Sequence, residues 1–149
     1  MAKLKFQIVS PERTVLHDDV DSLTVPTQEG QITILPNHVP LISTLQAGEL
    51  IVKNAGKTEY LAVSGGFIEV RPGNEIIILA DTAEHSDEID LERAEQAKAQ
   101  AAEDMKSVKA KNSPEYANFS SVFQKNLVRT RVGVRKNARH TPVRLNEKE

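Results

Sequence analysis

Histidines, clustered carboxylates and a glycine-flanked serine are the residues of this chain that could do chemistry, and none forms a catalytic set. His17, His38, His85 and His140 are scattered, with no His-x-x-x-His or His-x-Glu metal spacing. Asp18, Asp19 and Asp21 lie close together but lack the length and glycine of a calcium loop, so they read as a solvated acidic turn. Ser64-Gly65-Gly66 is not a nucleophile elbow, which needs Gly-x-Ser-x-Gly on a strand-to-helix turn. Gly65-Gly66 is not a phosphate loop either, because no lysine and helix follow it. Absence of cysteine excludes disulfides, thiol chemistry and cysteine metal sites. Nothing supports an independent enzyme. Asp90 and Arg93 are three apart at a helix opening and share a face. Their plain reading is a surface ion pair worth about 0.3–0.5 kcal/mol.

The elements that carry these residues change character near Asp87. Six of the seven glycines lie between Gly30 and Gly73, and no proline falls between Pro72 and Pro114. Leu4 to Val9 alternates apolar and polar, as a half-buried strand does. Arg13 to His17, Val20 to Val25 and Gln31 to Leu35 follow as strands, with Pro26 to Gly30 as a loop. Pro36-Asn37-His38-Val39-Pro40 is stiff and irregular. Two hairpins follow, turning at Asn54-Ala55-Gly56-Lys57 and Arg71-Pro72-Gly73-Asn74. About eight to ten short strands at this spacing predict a β-sandwich or barrel.

The chain beyond Asp87 is helical. Ser86 or Asp87 is the expected cap of a first helix whose stripe is Leu91, Ala94, Ala97, Ala101, Met105 and Val108. Ser113 caps a second, with Pro114 in its first turn and a stripe of Tyr116, Phe119, Phe123 and Leu127. The pattern weakens past Leu127, where Thr130, Val132, Gly133 and Val134 are poor helix formers. The expected organisation is a β-sandwich over 1–86, an antiparallel two-helix hairpin over 87–136 and a disordered basic tail over 137–149. The alanine-rich stripe buries little area, so the hairpin reads as an element that can detach, which suggests regulation.

Charge divides the same way. Residues 1–87 carry 6 basic and 12 acidic side chains, and residues 88–149 carry 13 basic and 9 acidic. The basic end seeks an acidic surface. Nucleic acid is one candidate, but aromatics are not interleaved with the basic residues, and an acidic protein partner fits at least as well. The opening Met1-Ala2-Lys3-Leu4-Lys5 has no signal- or transit-peptide character, and no apolar run approaches the ~18 residues of a membrane span. The expectation is a soluble intracellular protein, attached to a membrane only through a complex.

Four motifs in order carry a family resemblance. Glu29 to Leu41 resembles the "EGxxxILPxHxPL" segment of the epsilon subunit of bacterial F-type ATP synthase. Val63 to Val70 resembles that family's "SGGFxEV", Ile78 to Glu84 its "VLADTAE", and Ile89 to Ala94 its "I/L-D-x-x-R-A". The resemblance implies a β-sandwich plus helical hairpin in the rotating central stalk, at the cytoplasmic face of the bacterial cell membrane. The implied role is non-catalytic: coupling c-ring rotation to ATP synthesis and inhibiting ATP hydrolysis through the C-terminal helices. Implied partners are the gamma subunit, the c-subunit ring and the beta and alpha subunits. There is no implied resident cofactor, and regulatory ATP is a candidate ligand.

By the same resemblance, Glu84, Asp90, Arg93, Ala94 and Arg131 are the candidate nucleotide-binding residues. Gln100 replaces one family arginine, and Leu127 stands four before Arg131 where another belongs. Gln31, His38 and Leu41 are candidate subunit contacts. Lys125, Arg129, Arg131, Arg135 and Lys136 form a candidate inhibitory basic face. Two rival readings belong to other classes: a free-standing ATP-binding sensor built on Glu84, Asp90 and Arg93, and a nucleic-acid binder using the basic tail.

Overall fold

Alternation builds the β-domain strand by strand. In β1 (Leu4–Val9), Leu4, Phe6 and Ile8 are buried while their neighbours are not. β2 (Thr14–Val20) is a polar edge that buries only Val20. β3 (Ser22–Thr27) and β4 (Gly30–Ile34) form a hairpin, and β5 (Leu41–Leu45) follows the proline loop. β6 (Gly48–Asn54) and β7 (Lys57–Val63) pair along their whole length, as do β8 (Gly66–Arg71) and β9 (Glu75–Ala80). β10 (Ala83–His85) closes the domain against β7. The computed structural model describes residues 2–140, with side chains through Arg135.

The strands form a ten-stranded sheet in the order β10-β7-β6-β3-β5-β8-β9-β1-β2, with β4 on β3. Only the β1–β9 pairing is parallel among those described. β3 pairs with β6 through Ser22–Thr24 and meets β5 at Thr27, so it passes the sheet from one layer of the sandwich to the other. The sandwich core contains Phe6, Leu23, Leu50, Leu61, Ile68 and Ile78, all fully buried, and among the described residues none of its members lies beyond Ala83. Gly66 is required where it stands. Its φ is 134°, and a Cβ there would lie 2.0 Å from the Leu79 carbonyl oxygen. This agrees with a structural role for Ser64-Gly65-Gly66. Ser64 Oγ accepts a hydrogen bond from Thr82 Oγ1 at 2.6 Å.

After a 3-10 turn at Ser86–Glu88 come α1 (Leu91–Ser107) and α2 (Pro114–His140). Gly133 of α2 lies against Ile89 and Leu91, so the late turns of α2 flank the first turn of α1 and the helices run antiparallel. α2 caps as expected: Tyr116 N donates to Ser113 Oγ at 3.2 Å.

Several boundaries differ from expectation. Pro26 and Thr27 belong to β3, and β5 and β10 are additional strands. α1 begins at Leu91, capped by Asp90, whose Oδ1 accepts from Arg93 N at 3.1 Å. Asp90 and Arg93 therefore meet through this cap, and no ion pair joins them among the described residues. α2 runs on to His140 despite its poor helix formers, because Val128 and Val132 pack on the sandwich. Tertiary packing outweighs propensity there. Residues 137–140, expected in the tail, continue the helix; residues 141–149 lie outside the described residues.

The core stops before the helices start. A fragment ending at Ser86 is therefore expected to unfold in one cooperative transition in denaturant. A gradual, non-cooperative melt would mean that the helices complete the core.

Candidate functional site

The hairpin and the sandwich enclose a cleft of about 510 Å³ lined by Glu84, Glu88, Asp90, Arg93, Ala97 and Arg129. β10 supplies Glu84, the linker Glu88 and Asp90, and the two helices the rest. Arg129 Nε donates to Glu84 Oε2 at 3.1 Å, and its Nη1 donates to Asn126 Oδ1 at 2.9 Å. Asn126 is buried and donates in turn to the Val122 carbonyl. Arg13 reaches across from the β1–β2 turn and grips Glu88 with Nη2 and Nη1, at 2.7 and 3.3 Å. That hydrogen-bonded pairing holds the Glu88 carboxyl below its ordinary range. Its contribution to the folded state is thus complete at neutral pH and is lost only as pH falls through the depressed value.

Of the expected nucleotide-binding residues, Glu84, Asp90 and Arg93 come together in this cleft. Ala94 does not line it and is fully buried. Arg131 is exposed and sits about 200° around α2 from Arg129. The second-helix arginine in the cleft is Arg129, which the sequence reading placed on the basic face. Its partner Glu84 is 45 residues away, and no local pattern joins them. The donor set fits a nucleotide poorly. Each carboxylate is already engaged, Glu84 by Arg129, Glu88 by Arg13 and Asp90 as a helix cap, which leaves Arg93 as the lining guanidinium with no ion pair among the described residues.

The expected basic face is divided in this arrangement. Lys125 borders a depression with Glu12, Arg13 and Asp81, and Arg129 is turned into the cleft. Arg135 Nη2 donates to Glu49 Oε2 at 3.1 Å, Arg135 Nε contacts Glu49 Oε1, and the guanidinium lies 4.3 Å from the centre of the Tyr60 ring. Arg131 projects into solvent, and the Lys136 side chain lies outside the described residues. Helical geometry is the reason: Lys125 and Arg129 share one side of α2, while Arg131 and Arg135 lie on another. Between these contacts, Val128 and Val132 pack with Ala62 and Ile89, flanked by Ala47 and Tyr60.

At one end of the sandwich, the 35–40 loop presents Leu35 and Val39, which are 56% and 71% exposed. Gln31 is exposed on β4, beside the β3–β4 turn. His38 is half-buried and bonds locally: its backbone N–H donates to the Leu35 carbonyl at 3.1 Å, and its Nδ1 lies 2.6 Å from the Val39 carbonyl oxygen. Leu41 packs against the core and anchors the loop. Asn37, at φ 69°, donates its N–H to Asn74 Oδ1 at 2.6 Å. Asn74 also accepts Lys5 N–H on its own carbonyl at 2.7 Å, so one residue ties the loop to two strands.

A second apolar surface was not anticipated. Phe67 and Leu79 stand opposite each other on β8 and β9, and Ile42 lies on the neighbouring β5. They are 56%, 55% and 74% exposed. The sequence signal was the unbroken run Ile76-Ile77-Ile78-Leu79, which makes both faces of a strand apolar.

Residues 3–86 match the family described as ATP synthase, Delta/Epsilon chain, beta-sandwich domain, and residues 87–132 match the long alpha-helix domain of the same chains. The chain belongs to the ATP synthase delta/epsilon chain family. It is 54% identical over 99 residues to the ATP synthase epsilon chain of Chloroflexus aggregans, covering 66% of this chain and 70% of that one. Similarity to the epsilon chain of Carboxydothermus hydrogenoformans is 48% over 101 residues, covering 68% and 75%. A chain in the cryo-EM structure of Euglena gracilis mitochondrial ATP synthase shares the fold, with a TM-score of 0.76 at 21% identity over 93% of this chain and 82% of that one. A chain from the Tetrahymena thermophila central stalk and c-ring gives 0.57 at 14% identity, over 91% and 98%.

For this delta/epsilon chain, the Asn74 tie is open to a direct check. Asn74 has φ 62°, so glycine keeps the backbone while removing the acceptor, and aspartate keeps both. Asn74→Gly is expected to speed amide exchange at Asn37 about fivefold, the equivalent of one net hydrogen bond. Asn74→Asp should leave it near the wild-type rate. Equal exchange in all three proteins would show that Asn74 does not hold the loop.

Proposed function

We propose that this ATP synthase epsilon chain is a non-catalytic central-stalk subunit that couples ring rotation to ATP synthesis and restrains ATP hydrolysis with its C-terminal helices. The observation that carries this reading is the division of labour in the chain. A sandwich with a complete core of its own presents two uncovered apolar surfaces, and a basic hairpin is attached to it through a small contact. The outer patch of Ile42, Phe67 and Leu79 suits the gamma subunit, which must hold the sandwich firmly. The loop carrying Leu35 and Val39, with exposed Gln31 on the preceding β4, suits the c-subunit ring. Among the described residues no helix is long and apolar enough to cross a membrane. On this reading, attachment to the membrane is through the complex.

Restraint of hydrolysis comes from the hairpin. α2 has 27 residues and is about 40 Å long, enough to change which subunit it touches. Undocked, it carries its arginines and Lys125 toward acidic surfaces of the catalytic beta and alpha subunits, where Coulomb attraction resists rotation in the hydrolysis direction and salt weakens it. Ligands shift the docked form only by their differential affinity for it. The cleft's own pairing of Arg129 with Glu84 weighs against ATP as a strong effector. The same internal pairing of α2 arginines weighs against the nucleic-acid reading.

The test is ATP hydrolysis by a reconstituted catalytic head carrying full-length protein or protein ending at Asp87. Truncation is expected to raise the rate several-fold, with assembly intact and a smaller difference at high salt. Equal rates at stoichiometric occupancy would leave the hairpin a passive appendage.

A further inference from the structure

We propose that Glu49 and Tyr60 form a guanidinium seat on the sandwich, and that Arg135, by occupying it, latches the hairpin down and is thereby withheld from any partner surface. Glu49 on β6 and Tyr60 on β7 are diagonal neighbours across the strand pair, on either side of the Glu49–Ala62 and Ile51–Tyr60 partners. They share the outer face that α2 covers. The Glu49 side chain is only 17% exposed, with Arg135 against both of its oxygens. Tyr60 offers its ring face to the same cation at 4.3 Å.

α2 is patterned to deliver that arginine. Val128, Val132 and Arg135 stand at i, i+4 and i+7, one stripe toward the sandwich. The stripe of Tyr116, Phe119, Phe123 and Leu127 lies on a different side of the helix and serves α1. The two sandwich-facing valines meet mainly Ala62 and Ile89, a small apolar contact. The seat at its end therefore has a large share in holding α2. Arginine suits it because a planar fork can bind a carboxylate and stack on an aromatic ring at once, which an ammonium cannot do. A carboxylate as covered as Glu49 is destabilising without its cation, which couples docking to this one pair.

The latch rests on the reading of the hairpin as a restraining element, and two substitutions separate it from that reading. Glu49→Gln empties the seat but leaves the arginine available. Arg135→Ala empties the seat and removes the arginine. Docking is read in the full-length protein by the distance between spin labels at Lys57→Cys and Val134→Cys, since the chain has no native cysteine. Both variants are expected to lower the docked-to-undocked ratio about tenfold and to abolish most of its salt dependence. Arg135→Lys should recover only part of the docking, and the exchange Glu49→Arg with Arg135→Glu should recover more than either single change. On the catalytic head, Glu49→Gln should strengthen inhibition of hydrolysis and Arg135→Ala should not. If Glu49→Gln leaves the label distance unchanged in a protein that melts normally, the latch is wrong, whatever the hydrolysis rates. If it undocks the hairpin and hydrolysis does not change, the latch stands and the inhibitory role fails.

Discussion

Side chains of a strand alternate between two faces, and the rest of this molecule depends on what covers the second face. One face of β6 to β9 is given to the core by Leu50, Leu61, Ile68, Ile76 and Ile78. The outer faces are apolar as well, in two places. Over β6 and β7, Ala47, Tyr60 and Ala62 are covered by α2 of the same chain. Over β5, β8 and β9, Ile42, Phe67 and Leu79 are left exposed among the described residues. An exposed cross-strand cluster of large apolar residues marks an interaction surface. The sandwich thus has one outer face covered by its own helix and another left open. On the proposed reading, a partner held on the second face leaves α2 free to move without disturbing what holds the domain in place.

Charge follows the same division. The acidic β-domain and the basic second helix attract each other, and the structure resolves that attraction into particular pairs: Arg129 with Glu84 and Arg135 with Glu49. Arg13 with Glu88 fixes the linker between them. The two pairs made by α2 differ from solvated surface pairs in being partly covered and backed by further contacts, Asn126 for Arg129 and Tyr60 for Arg135. A cation held in this way cannot serve an external acidic surface at the same time. Competition between internal and external carboxylates is therefore built into the helix.

Most of the fold was legible in the sequence because it rests on local signals. Alternation in Leu4 to Val9, the Asn54–Lys57 and Arg71–Asn74 turns and the Ser113-Pro114 cap are all written within a few residues. The Asn54–Lys57 turn even bears positive φ at both Ala55 and Gly56, as a tight two-residue hairpin requires. The end of α2 was not legible. Thr130, Val132 and Gly133 are poor helix formers, and what keeps them helical is a sheet face some 70 residues earlier and the close packing of Gly133 against Ile89 and Leu91. The site was legible in part. Glu84, Asp90 and Arg93 come together, but Asp90's role as a cap and the choice of Arg129 over Arg131 depend on the rotation of α2 against the sandwich. That rotation is set by Val128 and Val132, not by the arginines' own spacing.

A reversible cover must be neither too apolar nor too polar. Fully burying a valine is worth about 1.5–3 kcal/mol, so a stripe of several leucines against the sheet would hold α2 beyond the reach of any competing contact. It would also leave a sticky helix whenever it opened. This helix has two valines over an alanine, with charged pairs on either side. The valines give the docked position its register. The charged pairs add strength that water and salt can replace when the helix leaves. Undocked, α2 exposes little apolar surface and gains solvated arginines, so both positions are compatible with water. The balance then lies within the few kcal/mol that contact with a neighbouring protein surface can shift.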